Sequence, residues 1–313
     1  MNGEKIIEPV DISLIESELT PDRMLRRTNK AGNEIYIVDA HCAPNIMREI
    51  GRLREISFRA GDGGTGKDCD IDEFDTMPTP CRQLFVWNPH EREIIGAYRY
   101  IIGKDVEILP DGTPHIAMSH MFRFSKEFMS HYLPITIELG RSFVRPEYQS
   151  TRMGVKSIFA LDNLWDGLGA LTVLHPGAKY LFGKMTMYPS YQRECRDLLL
   201  HFLRHYFPDR DALVTPIEPI RLELSQERAS SFFVGDDFKE DYRRLNKFVR
   251  DHGINIPPLV NAYMNLSPTM RFFGTAINHE FGEVEESGIF INIDEITDQK
   301  KSRHILTFEK TAK

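Results

Sequence analysis

The stretch that most constrains the fold is ITIELGRSFVRPEY, residues 135–148. Apolar and polar residues alternate at its start, and successive residues of a β-strand point to opposite faces of a sheet. The apolar positions are Ile135, Ile137 and Leu139. The sequence therefore predicts a strand with one face in the core, which ends near Arg145 and Pro146.

Two charged residues, Glu138 and Arg141, flank Gly140 within this strand. Residues three apart in a regular strand face opposite sides, which would place the two charges in different, costly environments. Glycine tolerates backbone geometry that other residues resist, so we expect a β-bulge or a break within two residues of Gly140. The bulge would turn both charged side chains toward one cleft. An ordinary ion pair on an edge strand is the alternative.

The motif ELGRSFVRPEY resembles the signature strand of the ornithine-lipid and glycine-lipid N-acyltransferases. That family, often labelled hemolysin-like, belongs to the GNAT superfamily and is related to the acyl-homoserine-lactone synthases. The resemblance implies an α/β fold whose central mixed, mostly antiparallel sheet is flanked by helices. We expect one domain at residues 35–296, with an irregular and helical excursion at 208–256 before the last strands. Residues 1–34 read as a polar extension and 297–313 as a charged tail.

Composition excludes several classes of protein. The net charge of -7 argues against a nucleic-acid partner. The four cysteines are scattered without a CxxC pair, which favours a reducing compartment. The chain shows no basic segment leading into a long apolar run at its start, and no stretch of about 18 apolar residues. We therefore expect a cytoplasmic protein with at most peripheral contact with the inner face of a membrane.

Two further blocks carry the resemblance. Residues 45–59 have helical spacing and contain the family's Arg-x-x-x-Phe pattern at Arg54 and Phe58. A Gly-rich loop then ends in an acidic pattern, D-x-D-x-F-D, which falls on Asp70, Asp72, Phe74 and Asp75. A Gly-rich loop that ends in carboxylates suits a lid that orders around a cationic amine. The resemblance implies an acceptor site shaped by Arg54, Phe58, Asp70, Asp72 and Asp75, and a solvated acidic loop is the alternative.

Other motif matches in the chain fail on closer reading. Residues 61–67 fit the start of a P-loop, but Asp68 follows where Ser or Thr would hold magnesium. The same region lacks the glycine and the final glutamate of an EF-hand loop. His201 and His205 stand four apart without a third ligand or the glutamate of HExxH. We expect no metal site.

One charge, Arg99, interrupts the otherwise apolar segment IIGAYRYII, which forms the second strand of a predicted hairpin. An isolated buried guanidinium is costly, so Arg99 needs an acidic partner. The family pattern also carries arginine here and implies a place for it in the acceptor site. The candidate partners are Asp70, Asp72, Asp75 and Glu138.

The donor side follows the central strand. Helical spacing resumes near Val155 and is predicted to end at Gly167 and Gly169. GNAT enzymes bind the pyrophosphate of coenzyme A at the N-terminus of this helix. The segment TRMG at 151–154 has only one glycine of the usual pattern, which makes coenzyme A the less favoured donor.

The resemblance accordingly favours an acyl carrier protein, whose acyl-phosphopantetheine is a co-substrate rather than a tightly bound cofactor. The implied donor-binding residues are Phe143, Val144, Arg145, Arg152, Gly154 and Lys156. A further strand at 179–188 is expected to diverge from the central strand and to receive the pantetheine arm between them.

The implied reaction moves a fatty acyl group, 3-hydroxylated in this family, to the amine of glycine or ornithine, the first step of aminolipid synthesis. Glu138 is the residue that we expect to accept or relay the proton of the amine. Arg141 would orient Glu138 or hold the carboxylate of the amino acid. No cysteine has a neighbouring base by spacing, so direct attack is favoured over a covalent acyl-enzyme.

Three other functions stay open on the sequence. One is an acyl-homoserine-lactone-synthase-like enzyme that uses S-adenosylmethionine. Another is a membrane-damaging hemolysin-like protein, although no long amphipathic segment supports it. The last is a GNAT-like acyl-binding protein without turnover.

Overall fold

The computed structural model describes residues 3–149 and 155–309, without the side chains of residues 155–158 and 309. Its strands are β1 Met24–Arg27, β2 Glu34–Val38, β3 Arg82–Asn88, β4 Glu93–Ile102, β5 Phe122–Phe124, β6 Thr136–Val144, β7 Tyr180–Met187, β8 Val214–Pro216, β9 Arg271–Asn278 and β10 Val284–Asn292. Its α-helices are α1 Ile12–Glu18, α2 Pro44–Arg59, α3 Glu73–Thr76, α4 Pro146–Gln149, α5 Val155–Leu174, α6 Arg193–Tyr206, α7 Gln226–Phe232, α8 Phe238–Asp251, α9 Pro258–Met264, α10 Asp298–Lys300 and α11 Leu306–Glu309.

Eight strands form the central sheet, in the order β1-β2-β3-β4-β6-β7-β10-β9. All neighbours are antiparallel except β6 and β7, which run parallel. These two strands pair over only three positions, from Thr136 with Tyr180 to Glu138 with Phe182. Beyond Glu138 the two strands separate, as expected, and leave a gap in the sheet. The predicted α/β fold with a mixed, mostly antiparallel central sheet is confirmed.

The two faces of the sheet bury different elements. On one face, Ile137 and Leu139 of β6 pack with the apolar side of α5 and α6 in the largest core cluster. On the other face, α2 packs through Ile46, Ile50 and Leu53, the stripe that helical spacing predicts. The small β5–β8 sheet lies on this second face, in a cluster with aromatic residues of β7 and β10. Glu138 points to this second face.

Helix α5 runs through both glycines that were predicted to end it. A side chain at Gly167 would place its Cβ 2.5 Å from the side chain of Leu84, so the glycine lets α5 approach the sheet closely. At Gly169 a Cβ would collide with the backbone carbonyl of His304. The prediction was wrong because these glycines serve helix packing rather than helix termination.

Both terminal segments take part in the fold. The predicted N-terminal extension contributes α1 and the edge strand β1, which pairs with β2. At the other end, the buried His304 is 2.7 Å from the carboxylate of Asp166 on α5. The sequence predicted a polar extension and a charged tail from the charge content of these segments. Their apolar side chains and polar contacts instead pack them against the domain. Among the described helices, none is long and apolar enough to cross a membrane.

Candidate active site

The predicted bulge in β6 is present. Arg99 pairs with Gly140 and Ala97 with Phe143, so β6 has one more residue than β4 between these two pairs. The residue with the unusual backbone is Arg141, whose φ of +46° lies in the left-handed region. That conformation costs a residue with a side chain roughly 1–2 kcal/mol. The bulge is confirmed, but its left-handed residue is Arg141 rather than Gly140.

Gly140 has a different effect on the site. Glu138 and Gly140 lie two residues apart on the same face of β6, and a Cβ on Gly140 would be 3.8 Å from Glu138 Oε1. Without that Cβ, no side chain at position 140 covers the carboxylate.

Glu138 is a buried carboxylate, only 3% exposed. Within the described part of the chain, no hydrogen-bond donor or ion-pair partner contacts it. Burial raises the pKa of Glu138 above its ordinary value of 4.5, and this outweighs the opposing charges of Arg99 and Lys184. A buried acid with a raised pKa and free oxygens is suited to accept a proton from a bound amine.

Beside Glu138, a buried ion-pair cluster joins α2, the acidic loop and two strands. The fully buried Arg54 donates to Asp75 at 2.9 Å and to Gln83 at 2.7 Å. Arg99 donates to Asp72 at 2.5 Å and lies 3.3 Å from Asp75, so the prediction of an acidic partner is confirmed. Burial alone would raise the pKa of Asp75, but the two guanidinium groups hold it well below its usual range.

Arg141 closes this cluster from the opposite side. Its Nε lies 3.0 Å from Asp70 and its terminal nitrogen 3.3 Å from Asp72. The guanidinium also stacks over the ring of Phe281, 4.6 Å from its centroid. Among the described contacts, none joins Arg141 directly to Glu138. The carboxylates of the acidic loop are thus neutralised by arginines of the protein, where the sequence had predicted a lid around a cationic amine.

A cleft occupies the gap between β6 and β7. Phe58 and Phe281 form an edge-to-face pair, 4.9 Å between centroids, at one side. The hydroxyls of Tyr98 and Tyr263 lie 3.4 Å apart at the other. The cavity measures about 40 Å³, room for a few water molecules or a small substrate group. Its lining comprises Phe58, Tyr98, Leu139, Gly140, Arg141, Ser142, Lys184, Thr186, Tyr263, Phe281 and Glu286.

Sequence reasoning missed two charged residues of this lining. Lys184 Nζ lies 3.0 Å from Glu286 Oε1, and the Thr186 hydroxyl donates to Glu286 at 2.8 Å. Glu286 is only 1% exposed. The signal that identified Arg99 could have found Lys184, since it is a single charge in the apolar strand YLFGKMTM.

The structure brings together the predicted catalytic residues, Glu138 and Arg141, and the predicted acceptor-site residues. Those residues are Arg54, Phe58, Asp70, Asp72, Asp75, Arg99, Glu138 and Arg141.

The predicted donor-binding residues that the structure describes lie in separate surroundings. Phe143 is buried and packs edge-to-face with Phe58, and Val144 pairs with Gly96. Arg145 is held by ion pairs with Glu93 and Glu147. Arg152 and Gly154 lie outside the described residues, and so does the side chain of Lys156.

The two cysteines nearest this region are poor nucleophiles. Burial raises the pKa of Cys81 to about 12 and that of Cys69 to about 11. Both are therefore neutral thiols near neutral pH, whereas the reactive form is the thiolate. Direct attack of an amine on the donor needs neither of them.

The histidine pair on α6 packs against the excursion. The ring of His201 stacks on Phe233, 5.7 Å between centroids, and His205 contacts the backbone carbonyl of Gly235. Across residues 3–149 and 155–309, no group of three potential ligands is arranged to hold a metal ion.

Comparison with known proteins gives three findings. An acetyltransferase (GNAT) domain matches residues 53–157. The chain is 62% identical over 305 residues to a glycine N(alpha)-acyltransferase of Bacteroides thetaiotaomicron, covering 97% of this chain and 90% of that protein. It is 57% identical over 307 residues to a glycine N(alpha)-acyltransferase of Phocaeicola vulgatus, covering 98% and 94%.

Solved structures show weaker likeness. FeeM, an N-acyl amino acid synthase from uncultured soil microbes, aligns with a TM-score of 0.41 and 12% identity over 88% of this chain and 96% of that one. BjaI, a CoA-dependent acyl-homoserine lactone synthase, aligns with a TM-score of 0.36 and 11% identity over 90% and 89%.

Proposed function

The chain belongs to the glycine N(alpha)-acyltransferase family, and from this we propose that it transfers a fatty acyl group to the amine of glycine. The predicted acyltransferase of GNAT type is confirmed by these relatives and by the matching domain. Its general reaction is the N-acylation of an amino acid. The finer proposal is that glycine is the acceptor and that an acyl carrier protein presents the acyl group for aminolipid synthesis.

The observation that carries the proposal is the buried carboxylate of Glu138, which has no described hydrogen-bond or ion-pair partner and lies at the start of the gap between β6 and β7. Amines are largely protonated near neutral pH and cannot attack a carbonyl until a proton leaves. In the proposal, Glu138 accepts that proton. The neutral amine then attacks the thioester carbonyl carbon and gives a tetrahedral intermediate. Its nitrogen loses a second proton, the C–S bond breaks to leave the amide, and the carrier thiolate leaves and takes up that second proton.

The tetrahedral intermediate places negative charge on the former carbonyl oxygen, which needs hydrogen-bond donors. Past Glu138, β6 is not paired with β7, and its pairing with β4 is interrupted at the bulge. We assign the oxyanion contact to backbone N–H groups of β6 near Gly140 and Arg141. The same open edge would receive the extended pantetheine arm.

The donor part of the proposal rests on the sequence between β6 and α5. The segment TRMG has one glycine where a pyrophosphate-binding loop usually has more. An acyl carrier protein presents its phosphopantetheine with a single phosphate, which needs fewer backbone N–H donors from this loop than a pyrophosphate does. The kcat/KM of the enzyme should therefore be much higher with acyl carrier protein thioesters than with the matched coenzyme A thioesters.

Mass spectrometry of the reaction products tests the proposal. The purified protein is given a 3-hydroxyacyl carrier protein and an equimolar mixture of glycine, ornithine, serine and alanine, with Glu138→Gln as the matched control. The proposal predicts N-acylglycine as the main product of the wild type and little product from the variant. Acylation of another amino acid would overturn the acceptor assignment, and equal kcat/KM for carrier and coenzyme A donors would overturn the donor assignment.

A further inference from the structure

The geometry of the cleft points to one more binding residue: we propose that Lys184 binds the carboxylate of the acceptor amino acid. The acceptor then lies in the gap with its amine toward Glu138 and its carboxylate toward the Lys184 ammonium. This inference rests on the proposed function and adds the residue that recognises an α-amino acid as such.

The register of the sheet places both groups on one face. Glu138 of β6 is paired with Phe182 of β7, and Lys184 follows Phe182 by two residues. Alternation along β7 therefore turns Lys184 to the same face as Glu138. The strands separate just beyond this pair, so Glu138 lies at the start of the gap on the β6 side, and Lys184 lines the cleft on the β7 side. The ammonium group of a zwitterionic amino acid in the gap would face the carboxylate of Glu138. Its carboxylate would face the ammonium group of Lys184.

Lys184 has capacity to bind an anion. An ammonium group offers three donors, and the described contact of Lys184 is the one with Glu286 at 3.0 Å. Its side chain is 11% exposed and lines the cleft, whereas Glu286 beneath it is 1% exposed and further held by Thr186. Glu286 thus holds the end of the Lys184 side chain in place at the edge of the cavity, and their contact involves one of the three donors.

The other cations near the cleft are already engaged. Arg141 lies within ion-pair distance of Asp70 and Asp72 and stacks on Phe281. Arg54 and Arg99 are at most 2% exposed and are ion-paired to carboxylates of the acidic loop. The sequence had offered Arg141 as an anchor for the substrate carboxylate. Of the two cations that line the cleft in the described structure, Arg141 lies against two carboxylates, whereas Lys184 is paired with Glu286 alone.

The same arrangement would favour a very small acceptor. A substrate held at both its amine and its carboxylate directs its α-carbon substituent toward the walls. Phe58 and Phe281 form one wall and the buried Tyr98 and Tyr263 the other. The cavity of about 40 Å³ has little room for a side chain beyond hydrogen.

The test compares glycine with glycinamide, which keeps the amine and lacks the carboxylate charge. The wild type should favour glycine in kcat/KM by about 10- to 100-fold, the loss expected for one charged hydrogen bond. In Lys184→Gln, KM for glycine should rise by a similar factor while glycinamide is used as before, so the preference disappears. KM for the acyl donor should stay unchanged.

Two further variants control the interpretation. Lys179→Gln removes an exposed lysine next to the start of the same strand, 3.5 Å from Asp294, and should keep the wild-type preference. Lys184→Arg keeps the positive charge and should keep most of the preference for glycine over glycinamide. A Lys184→Gln protein that loses activity equally toward both acceptors, or retains the preference, would overturn the inference.

The wild type alone also bears on the inference, even where the variant fails to fold. Equal use of glycine and glycinamide by the wild type would overturn the carboxylate anchor. Failure of the wild type to acylate glycine at all would instead overturn the proposed function, so the two failures are distinguishable.

Discussion

Arg99 pairs directly with Gly140 across β4 and β6, and a Cβ on Gly140 would lie 4.0 Å from the guanidinium Nε of Arg99. The glycine therefore leaves open the space between a buried cation and the carboxylate of Glu138. That space borders the gap in which the acyl donor and the amine are proposed to meet. The position can accept a Cβ without a clash, but any larger group would occupy the site.

Gly140→Val is expected to lower activity more than stability. The added methyl groups favour regular strand geometry at the bulge and cover Glu138. We expect kcat/KM for glycine to fall by about 10-fold or more, since misplaced reacting groups cost up to about 100-fold. The matched control is Gly96→Ala in β4, whose Cβ would collide with the Phe143 carbonyl. That control should instead lower the free energy of unfolding, by roughly 1–3 kcal/mol.

Arg54→Ala should destabilise the protein. The substitution leaves Asp75 and Gln83 without their shared donor in a fully buried site. Breaking one side of a buried ion pair typically costs about 3–5 kcal/mol in free energy of unfolding. Urea denaturation measures the change. The control is Arg243→Ala, which removes an exposed arginine of α8 that is also in an ion pair and should leave the free energy of unfolding unchanged. An equal loss of unfolding free energy in the two variants would contradict the structural role of Arg54.

Two substitutions of Arg141 distinguish the cost of its left-handed backbone from the contribution of its side chain to activity. Because its φ is +46°, Arg141→Gly should have a higher free energy of unfolding than Arg141→Ala, by about 1 kcal/mol. Both variants lose the ion pairs to Asp70 and Asp72, so both should have low activity. Thermal or urea unfolding of the two variants measures the difference. Equal stabilities would mean that the left-handed backbone relaxes at no cost.

The donor side predicts a salt effect. Replacing Arg145, Arg152 and Lys156 together by Ala should raise KM for the acyl carrier substrate and leave KM for glycine unchanged. Salt screens charge–charge attraction, so KM of the wild type for the carrier should rise with ionic strength, and that of the variant should respond less. Steady-state kinetics at low and high salt measures this. An unchanged salt response would place the carrier's binding surface elsewhere.

The sequence predicted the parts of the site that depend on local pattern. Alternation located β6, charge spacing indicated the bulge, and the cost of a buried guanidinium required the partner of Arg99. What it could not predict depends on contacts between distant segments. The pair of Lys184 and Glu286 exists because β7 and β10 are neighbours, about 100 residues apart in the chain. Likewise, Gly167 reads as a helix end until α5 is seen against Leu84.

The dependence of kcat on pH, for glycine with saturating donor, tests most directly whether Glu138 takes the proton. Burial raises the pKa of Glu138 above 4.5, and only its ionised form can accept a proton, so kcat of the wild type should rise through an ionisation above the ordinary range and then level off. Glu138→Gln should lose this ionisation and about 10²–10⁴-fold in kcat. The same ionisation and a comparable kcat in the variant would contradict the account.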